Sequence, residues 1–295
     1  MNRFFVDVDG RDIGTDISIT GGDVNHIKNV LRLKVGQEIT VSNGRGRDYT
    51  CSISEIGRDE VLCRVEDVND NFAELPVEVT LFQGYPKSDK MDLIVQKMVE
   101  LGVCRIVPVF TARTIVKLDA KKAAKKTERC RIIAESAAKQ SGRGIVPEIT
   151  EPVTFAQAIE MAKTLDMNII PYEEAEGLAK SRQIIADVTA PSSARRSLGV
   201  FIGPEGGFAR EEVEQAMAAG AECITLGHRI LRTETAGLAV MSIIMFSADR
   251  DNQNNIVEIS ERKKLEAGRI SVSEWWKTTW KHILTIQRPP RFIQR

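Results

Sequence analysis

The chain has no Cys-x-x-Cys pair, no Gly-Lys-Ser or Gly-Lys-Thr triplet and no net charge, since 41 lysines and arginines are balanced by 41 aspartates and glutamates. Its five cysteines (Cys51, Cys63, Cys104, Cys130 and Cys223) are odd in number and scattered. That spacing suits reduced thiols in a cytosolic enzyme and gives no disulfide frame or zinc ribbon. No apolar run reaches the roughly 20 residues of a membrane span. The N-terminus, MNRFFVDVDGRDIG, carries charges where a signal peptide needs an apolar core, so a cytoplasmic protein is expected. The neutral balance removes the strongly basic class of nucleic-acid binder, but not a protein whose charge is segregated. Without GxGxxG or GK[ST], no phosphate-gripping nucleotide loop is expected. No metal-ligand cluster is expected either.

What is present falls into three regions. Residues 1–72 read as short strands: VGQEITVSNGRGRDYTCSISEI alternates apolar and polar residues around the turn signal Asn43-Gly44, and DEVLCRVEDV follows in the same rhythm. A small antiparallel barrel closes such a sheet most simply. After a linker at 71–76, short apolar runs (VEVTLFQG, CRIVPVF, MNIIPY, LGVFIG and ECITLG) alternate with helical spacing over 77–248. Helices are expected at 119–140, 154–164, 209–219 and 233–247, and in KSDKMDLIVQKMVELG through Leu93, Val95, Met98 and Leu101. This alternation predicts an α/β fold, a parallel sheet covered on both faces, with ligands at the strands' carboxyl ends. From 249 to 295 the composition shifts to ten basic and six acidic residues and all three tryptophans, Trp275, Trp276 and Trp280. This tail either packs on the body or stays disordered, or it adds a contact to RNA or to a membrane surface.

Two polar loops end apolar runs. In FIGPEGGF, Pro204 removes a backbone N–H that a phosphate would need, while Gly203, Gly206 and Gly207 allow close backbone approach to a flat, uncharged group. An ordinary tight turn, with Glu205 or Glu211 and Glu212 near a helix N-terminus, explains the same residues. In LGHRILRTETAG, two arginines, a glutamate and two hydroxyls stand at a strand-to-helix junction. Thr233 is placed to cap the helix that follows, and Arg232 with Glu234 also reads as a surface ion pair.

FIGPEGGF together with LGHRILRTETA closely resembles the bacterial small-subunit rRNA uridine-N3 methyltransferases of the SPOUT superfamily. HIKNVLRLKVGQEI at 26–39, KSDKMDLIVQKMVELGV at 87–103 and AESAAKQSGRGIVPEI at 134–149 match as well. The resemblance runs from residue 1 to about 248. It implies a PUA-like RNA-binding β-barrel over 1–72 and a SPOUT α/β domain with a deep trefoil knot over 77–248; general topology rules argue against such a knot. It further implies S-adenosylmethionine as cofactor, a homodimer with active sites at the subunit interface, and 16S rRNA in the small ribosomal subunit as substrate. The cofactor pocket implied consists of Pro171 and Tyr172, of Ile202, Gly203, Pro204, Glu205 and Gly206, and of Leu226, Gly227, Leu231, Arg232 and Thr233. Another RNA base as target, or a catalytically silent RNA-binding or ribosome-assembly factor, are the readings that compete with it.

Methylating a uridine N3 requires stabilising negative charge on the neighbouring O2 and O4. Arg232 is the cation expected to do so, with Glu234 orienting it or relaying the proton; His228 reads as structural rather than as a base. For RNA, residues 113–143 carry ten basic against three acidic residues. Lys121, Lys122, Lys125 and Lys126 form one cationic face at helical spacing, which either tracks phosphates or is simply solvated. Arg143, in the matching Gln-Ser-Gly-Arg, and Arg32, Lys34, Arg45 and Arg47 in the barrel complete the expected RNA contacts.

Overall fold

The alternating residues near the N-terminus become a curled five-stranded sheet. The computed structural model describes residues 2–249 apart from 174, 176, 191, 192 and 195. The tail expectations, with Trp275, Trp276 and Trp280, lie outside them. Strands β1 (Arg3–Phe5), β2 (Asp16–Thr20), β3 (Glu38–Ser42), β4 (Arg47–Ile56) and β5 (Glu60–Asp70) are ordered β1-β3-β4-β5-β2. Their alternate residues, among them Ile17, Ile39, Val41, Tyr49, Cys51, Ile53 and Val61, fill one apolar core. A short helix, α1 (Gly22–Asn25), continues into a π-helical turn at His26–Val30 and adds Val24 and Ile27 to that core.

The hairpin signal holds. Asn43 Oδ1 accepts from the backbone N–H of Arg45 at 2.8 Å and of Arg47 at 3.0 Å, which closes the turn. The all-antiparallel closed barrel does not form. β1 pairs with β3 in parallel, Arg3 opposite Thr40, and β1 and β2 are left as the two ends of the sheet. The chain crosses over through β2 and α1 before β3, so β3 comes back in the direction of β1. Register shifts between β4 and β5, at Thr50/Cys51 and Ile53/Glu55, supply the curl.

The second sheet is parallel throughout. It contains β6 (Glu78–Gly84), β7 (Arg105–Phe110), β8 (Glu148–Ile149), β9 (Val153–Thr154), β10 (Met167–Pro171), β11 (Ser197–Ile202) and β12 (Ala221–Ile224). The order is β12-β10-β11-β6-β7-β8, with β9 also on β7. Helices α2 (Lys90–Glu100), α3 (Ala120–Ser141), α4 (Phe155–Ala162), α5 (Leu178–Thr189), α6 (Arg210–Ala218) and α7 (Thr233–Ala248) cover both faces. One apolar cluster joins Val79, Leu81, Ile106 and Val200 to α2, α3, α5 and α7. The other joins Phe82, Val107 and Phe201 to Phe155 of α4 and Val213 of α6, with the Phe82 and Phe201 rings stacked at 4.5 Å. Each fully buried side chain of this kind contributes about 1.5–3 kcal/mol, an upper figure for a chain compact when unfolded.

Two helix readings need correction. The inward face of α2 runs through Met91, Ile94, Val95, Met98 and Val99, whereas Leu93 is 44% exposed. Leu93 lies one residue, about 100°, off that stripe. Helix α5 has no counterpart among the expected helices.

The two sheets meet at a polar joint. Arg143, expected at an RNA surface, is buried at 2% exposure. Its guanidinium pairs with the Glu74 carboxylate and donates to the carbonyl oxygens of Val99 and Val103. Glu74 also accepts from the backbone N–H of Gly144 at 2.9 Å, and Arg3 holds Asp48 in a two-pronged pair at 2.6 and 2.7 Å beside it. With four of its five N–H groups taken by these partners and almost none of its surface open to solvent, the guanidinium is closed to a phosphate. Gly142, left-handed at φ 77°, ends α3 and turns the chain into this joint.

Candidate active site

Parallel strands bring their carboxyl ends to one edge, and the loops leaving β10, β11 and β12 meet there around a cavity of about 820 Å³. Its wall takes Pro171 and Tyr172 from the end of β10, Ile202, Gly203, Pro204, Glu205, Gly206 and Gly207 after β11, and residues 225–231 after β12. Leu226, Gly227 and Leu231 are in that last group, and Thr233 and Ala236 of α7 close the wall. The three loops singled out in the sequence therefore converge on one hollow. Arg232 is not part of the wall; its side chain is exposed beside it. His228 is on the wall and exposed.

Local geometry explains the residue types. The Gly203–Gly207 loop lies against the end of β6 so closely that a Cβ on Gly84 would stand 2.5 Å from Pro204. Gly227 sits at φ 104°, a backbone conformation that side chains with a Cβ strain to adopt. Thr233 does not spend its hydroxyl on capping α7. The Oγ1 donates to the carbonyl of Gly203 at 2.6 Å and accepts from the Gln83 amide at 2.8 Å. One side chain thus ties α7 to both β6 and the glycine loop.

Glu234 makes its ion pair with Lys90, not with Arg232. The Lys90 ammonium lies 3.2 Å from Glu234 and 3.3 Å from Glu205. Burial works to raise the Glu205 carboxyl. Hydrogen bonds from backbone N–H groups, that of Lys87 among them, and from Lys90 outweigh it and hold the group below its ordinary range. Burial likewise works to lower Lys90, and its hydrogen bonds to Glu234 and Glu205 overcome this and raise it. Lys90 and Glu205 are thus both held in their charged forms at neutral pH.

Lys90, Gln83 and Arg113 are absent from the sequence-derived site. Arg113 donates to the Gly206 carbonyl at 2.8 Å and forms part of the wall. A signal for Lys90 existed: a lysine at the first position of a helix opposes the macrodipole, so it needs another reason to be there. Nothing local marks Gln83 or Arg113, whose partners are remote in sequence.

No thiol is poised as a nucleophile among the described residues. Burial pushes Cys51 and Cys63 up to about 12, and Cys104 and Cys130 up to about 11. Among the same residues, no group of three or more His, Cys, Asp or Glu side chains is arranged to hold a metal ion. No helix among them is long and apolar enough to cross a membrane.

The expected RNA contacts sort differently. Lys121, Lys122 and Lys125 are exposed and Lys126 half-buried on α3, with Lys122 paired to Asp119 at 3.1 Å. Arg32 and Lys34 are exposed. Arg45 is engaged by Asp7 at 2.7 Å and Asp9 at 2.8 Å, and Arg47 by Asp70 at 3.3 Å.

Comparison with known proteins places this site in a class. A family model described as an RNA methyltransferase domain matches residues 73–245, and one described as an RNA methyltransferase PUA domain matches 19–71. The curled sheet is therefore PUA-like, and the parallel sheet with its cavity is the methyltransferase domain. The ribosomal RNA small subunit methyltransferase E of Bacillus subtilis (strain 168) is 37% identical over 253 residues, 84% of this chain and 98% of that protein. The protein of the same name from Aquifex aeolicus is 32% identical, over 79% of this chain and 95% of its own. A crystal structure of the Neisseria gonorrhoeae protein of that name, bound to S-adenosyl methionine, aligns with a TM-score of 0.71 at 32% identity, covering 83% of this chain and 97% of the other. The chain belongs to the ribosomal RNA small subunit methyltransferase E family.

Proposed function

We propose that this protein methylates N3 of a single uridine in 16S rRNA, within the small ribosomal subunit, using S-adenosylmethionine. The observation that carries the reading is the convergence of the 171–172, 202–206 and 226–231 segments on one cavity. The residues fit the cofactor: glycines leave backbone groups open to an adenine and ribose, and Leu226, Leu231 and Ile202 supply apolar walls. When bound, that cofactor supplies an electrophilic methyl on a sulfonium. Pro171, Tyr172, Ile202, Gly203, Pro204, Glu205, Gly206, Leu226, Gly227, Leu231 and Thr233 hold it, with Arg232 at their edge.

The chain's own part in the chemistry is placement and charge. Arg232, exposed beside the cavity, stabilises negative charge on the pyrimidine oxygens as N3 becomes nucleophilic. Glu234, with its carboxylate on Lys90, serves by fixing the turn that carries Arg232. Lys121, Lys122, Lys125 and Lys126 follow the phosphates, assisted by Arg32, Lys34, Arg45 and Arg47 on the PUA-like sheet.

A homodimer belongs to the same reading. Its support is the outer side of α7, where Phe246 is 84% and Ile243 45% exposed, together with Ile230 at 88% on the cavity loop. The knot is proposed with it. Its support is the chain's path: β12 is at the sheet edge beside β10, yet the next segment returns to put Thr233 against Gly203 beyond β11.

The test is nucleoside analysis of 16S rRNA treated with the full chain and labelled cofactor, as naked RNA and as small subunits, with tRNA alongside. The reading expects 3-methyluridine at one position. A methyl on another base or on tRNA supports the competing target, and no transfer supports the silent binding factor.

A further inference from the structure

We propose that Lys90 is a positioning residue for methyl transfer, its ammonium holding the glycine loop through Glu205 and the first turn of α7 through Glu234 as one cradle beneath Arg232. The inference rests on the function proposed above.

The observations are independent of one another. Lys90 occupies the first position of α2, where a positive charge is disfavoured by the helix's own dipole and where Asp89 makes no side-chain cap. Its ammonium lies 3.3 Å from Glu205 and 3.2 Å from Glu234, residues 115 or more positions away, the first on the cavity wall and the second in the turn of α7 next to the wall residue Thr233. Among the described residues neither carboxylate has another ion-pair partner. The three side chains are partly covered, at 30%, 25% and 17% exposure, so solvent screens the contacts but not fully. Taking the ammonium away leaves two carboxylates facing each other, and like charges push the loop and the helix turn apart. The Thr233–Gly203 hydrogen bond still ties the two elements and preserves the fold. The displacement then falls on the residues flanking those anchors, Glu205 beside Gly203 and Arg232 and Glu234 beside Thr233.

The experiment compares full-length wild type with Lys90→Met, Lys90→Arg and Lys90→Met combined with Glu234→Gln, measuring steady-state methyl transfer to 16S rRNA, cofactor affinity by calorimetry and the thermal midpoint. Lys90→Met is expected to lower kcat roughly 10- to 100-fold, with a smaller change in KM for RNA, because misplacement of reacting groups acts on the chemical step. Lys90→Arg, long enough to reach both carboxylates, is expected to recover most of the turnover. Adding Glu234→Gln is expected to relieve part of the Lys90→Met defect, the coupling that a shared network gives. The proposal is overturned if Lys90→Met turns over like wild type, if Lys90→Arg is as impaired as Lys90→Met, or if turnover falls only in proportion to folded protein. Should Lys90→Met not fold, Lys90→Gln takes its place under the same criteria. Wild type that binds no cofactor overturns the functional reading itself; wild type that methylates while the variants are unimpaired overturns only the role of Lys90.

Discussion

The hydroxyl of Thr233 donates a 2.6 Å hydrogen bond to the carbonyl of Gly203, and through it the first turn of α7 is fixed to the loop that follows β11. The same oxygen accepts from the Gln83 amide, inside a site where Gln83 is fully buried. Thr233→Val keeps the shape and leaves both partners without the hydroxyl. A loss of about 1–3 kcal/mol in urea unfolding is expected, with weaker cofactor binding by calorimetry. Unchanged values in both measurements contradict this placement.

Arg232 is an exposed guanidinium beside the cavity, with no ion-pair partner among the described residues. Arg232→Ala is expected to reduce kcat by about 10²–10³, the usual cost of removing one group that stabilises transition-state charge. Cofactor affinity stays within a few-fold of wild type. Near-normal turnover with saturating substrates contradicts the role.

Arg143 and the α3 lysines should separate cleanly. Breaking the buried Arg143–Glu74 pair with Arg143→Ala costs about 3–5 kcal/mol of stability, because the carboxylate is left uncompensated. Neutralising Lys121, Lys122, Lys125 and Lys126 leaves the melting temperature nearly unchanged, weakens RNA binding and flattens its dependence on salt. Filter binding across a salt series and a thermal melt together check the contrast.

Acid should loosen the rim of the cavity. The folded Glu205 carboxyl titrates below its ordinary value of 4.5, so the stabilisation it brings is complete above that value and is lost as pH falls through the lowered one. Cofactor affinity of wild type is therefore expected to fall as the pH drops below 4.5, and Glu205→Gln to show a flatter profile there. Calorimetry at stepped pH reads the difference.

The sequence carried five of the seven strands of the parallel sheet because each is a short apolar run, most of them closed by a glycine or proline, as in LGVFIG and MNIIPY; the two-residue β8 and β9 are too short to leave such a run. It carried α3 because Asp119 caps it and Gly142 ends it, and both signals are local. It failed where the deciding contact is remote. Leu93 fits a helical spacing, yet α2 packs on α3 and α7 through the neighbouring stripe. Arg143 stands in a basic run, but Glu74, at the other side of the joint, draws it inside. The parallel β1–β3 pair is set by the crossover through β2 and α1, which no periodicity in Arg3–Phe5 announces. At the site, the glycine loops were legible from composition and resemblance. Lys90 left a local signal at the head of α2, but its role was illegible because its partners are two carboxylates more than a hundred residues away.

Titration calorimetry of the full-length protein with S-adenosylmethionine and with S-adenosylhomocysteine, beside a Gly203→Val variant, bears most directly on what the cavity holds. A Cβ at Gly203 would come within 3.0 Å of the Gly207 backbone, so this variant distorts the loop with little change elsewhere. Saturable binding by wild type that is lost or sharply weakened in Gly203→Val is the result predicted. No heat of binding from folded wild type, or equal binding by both proteins, contradicts it.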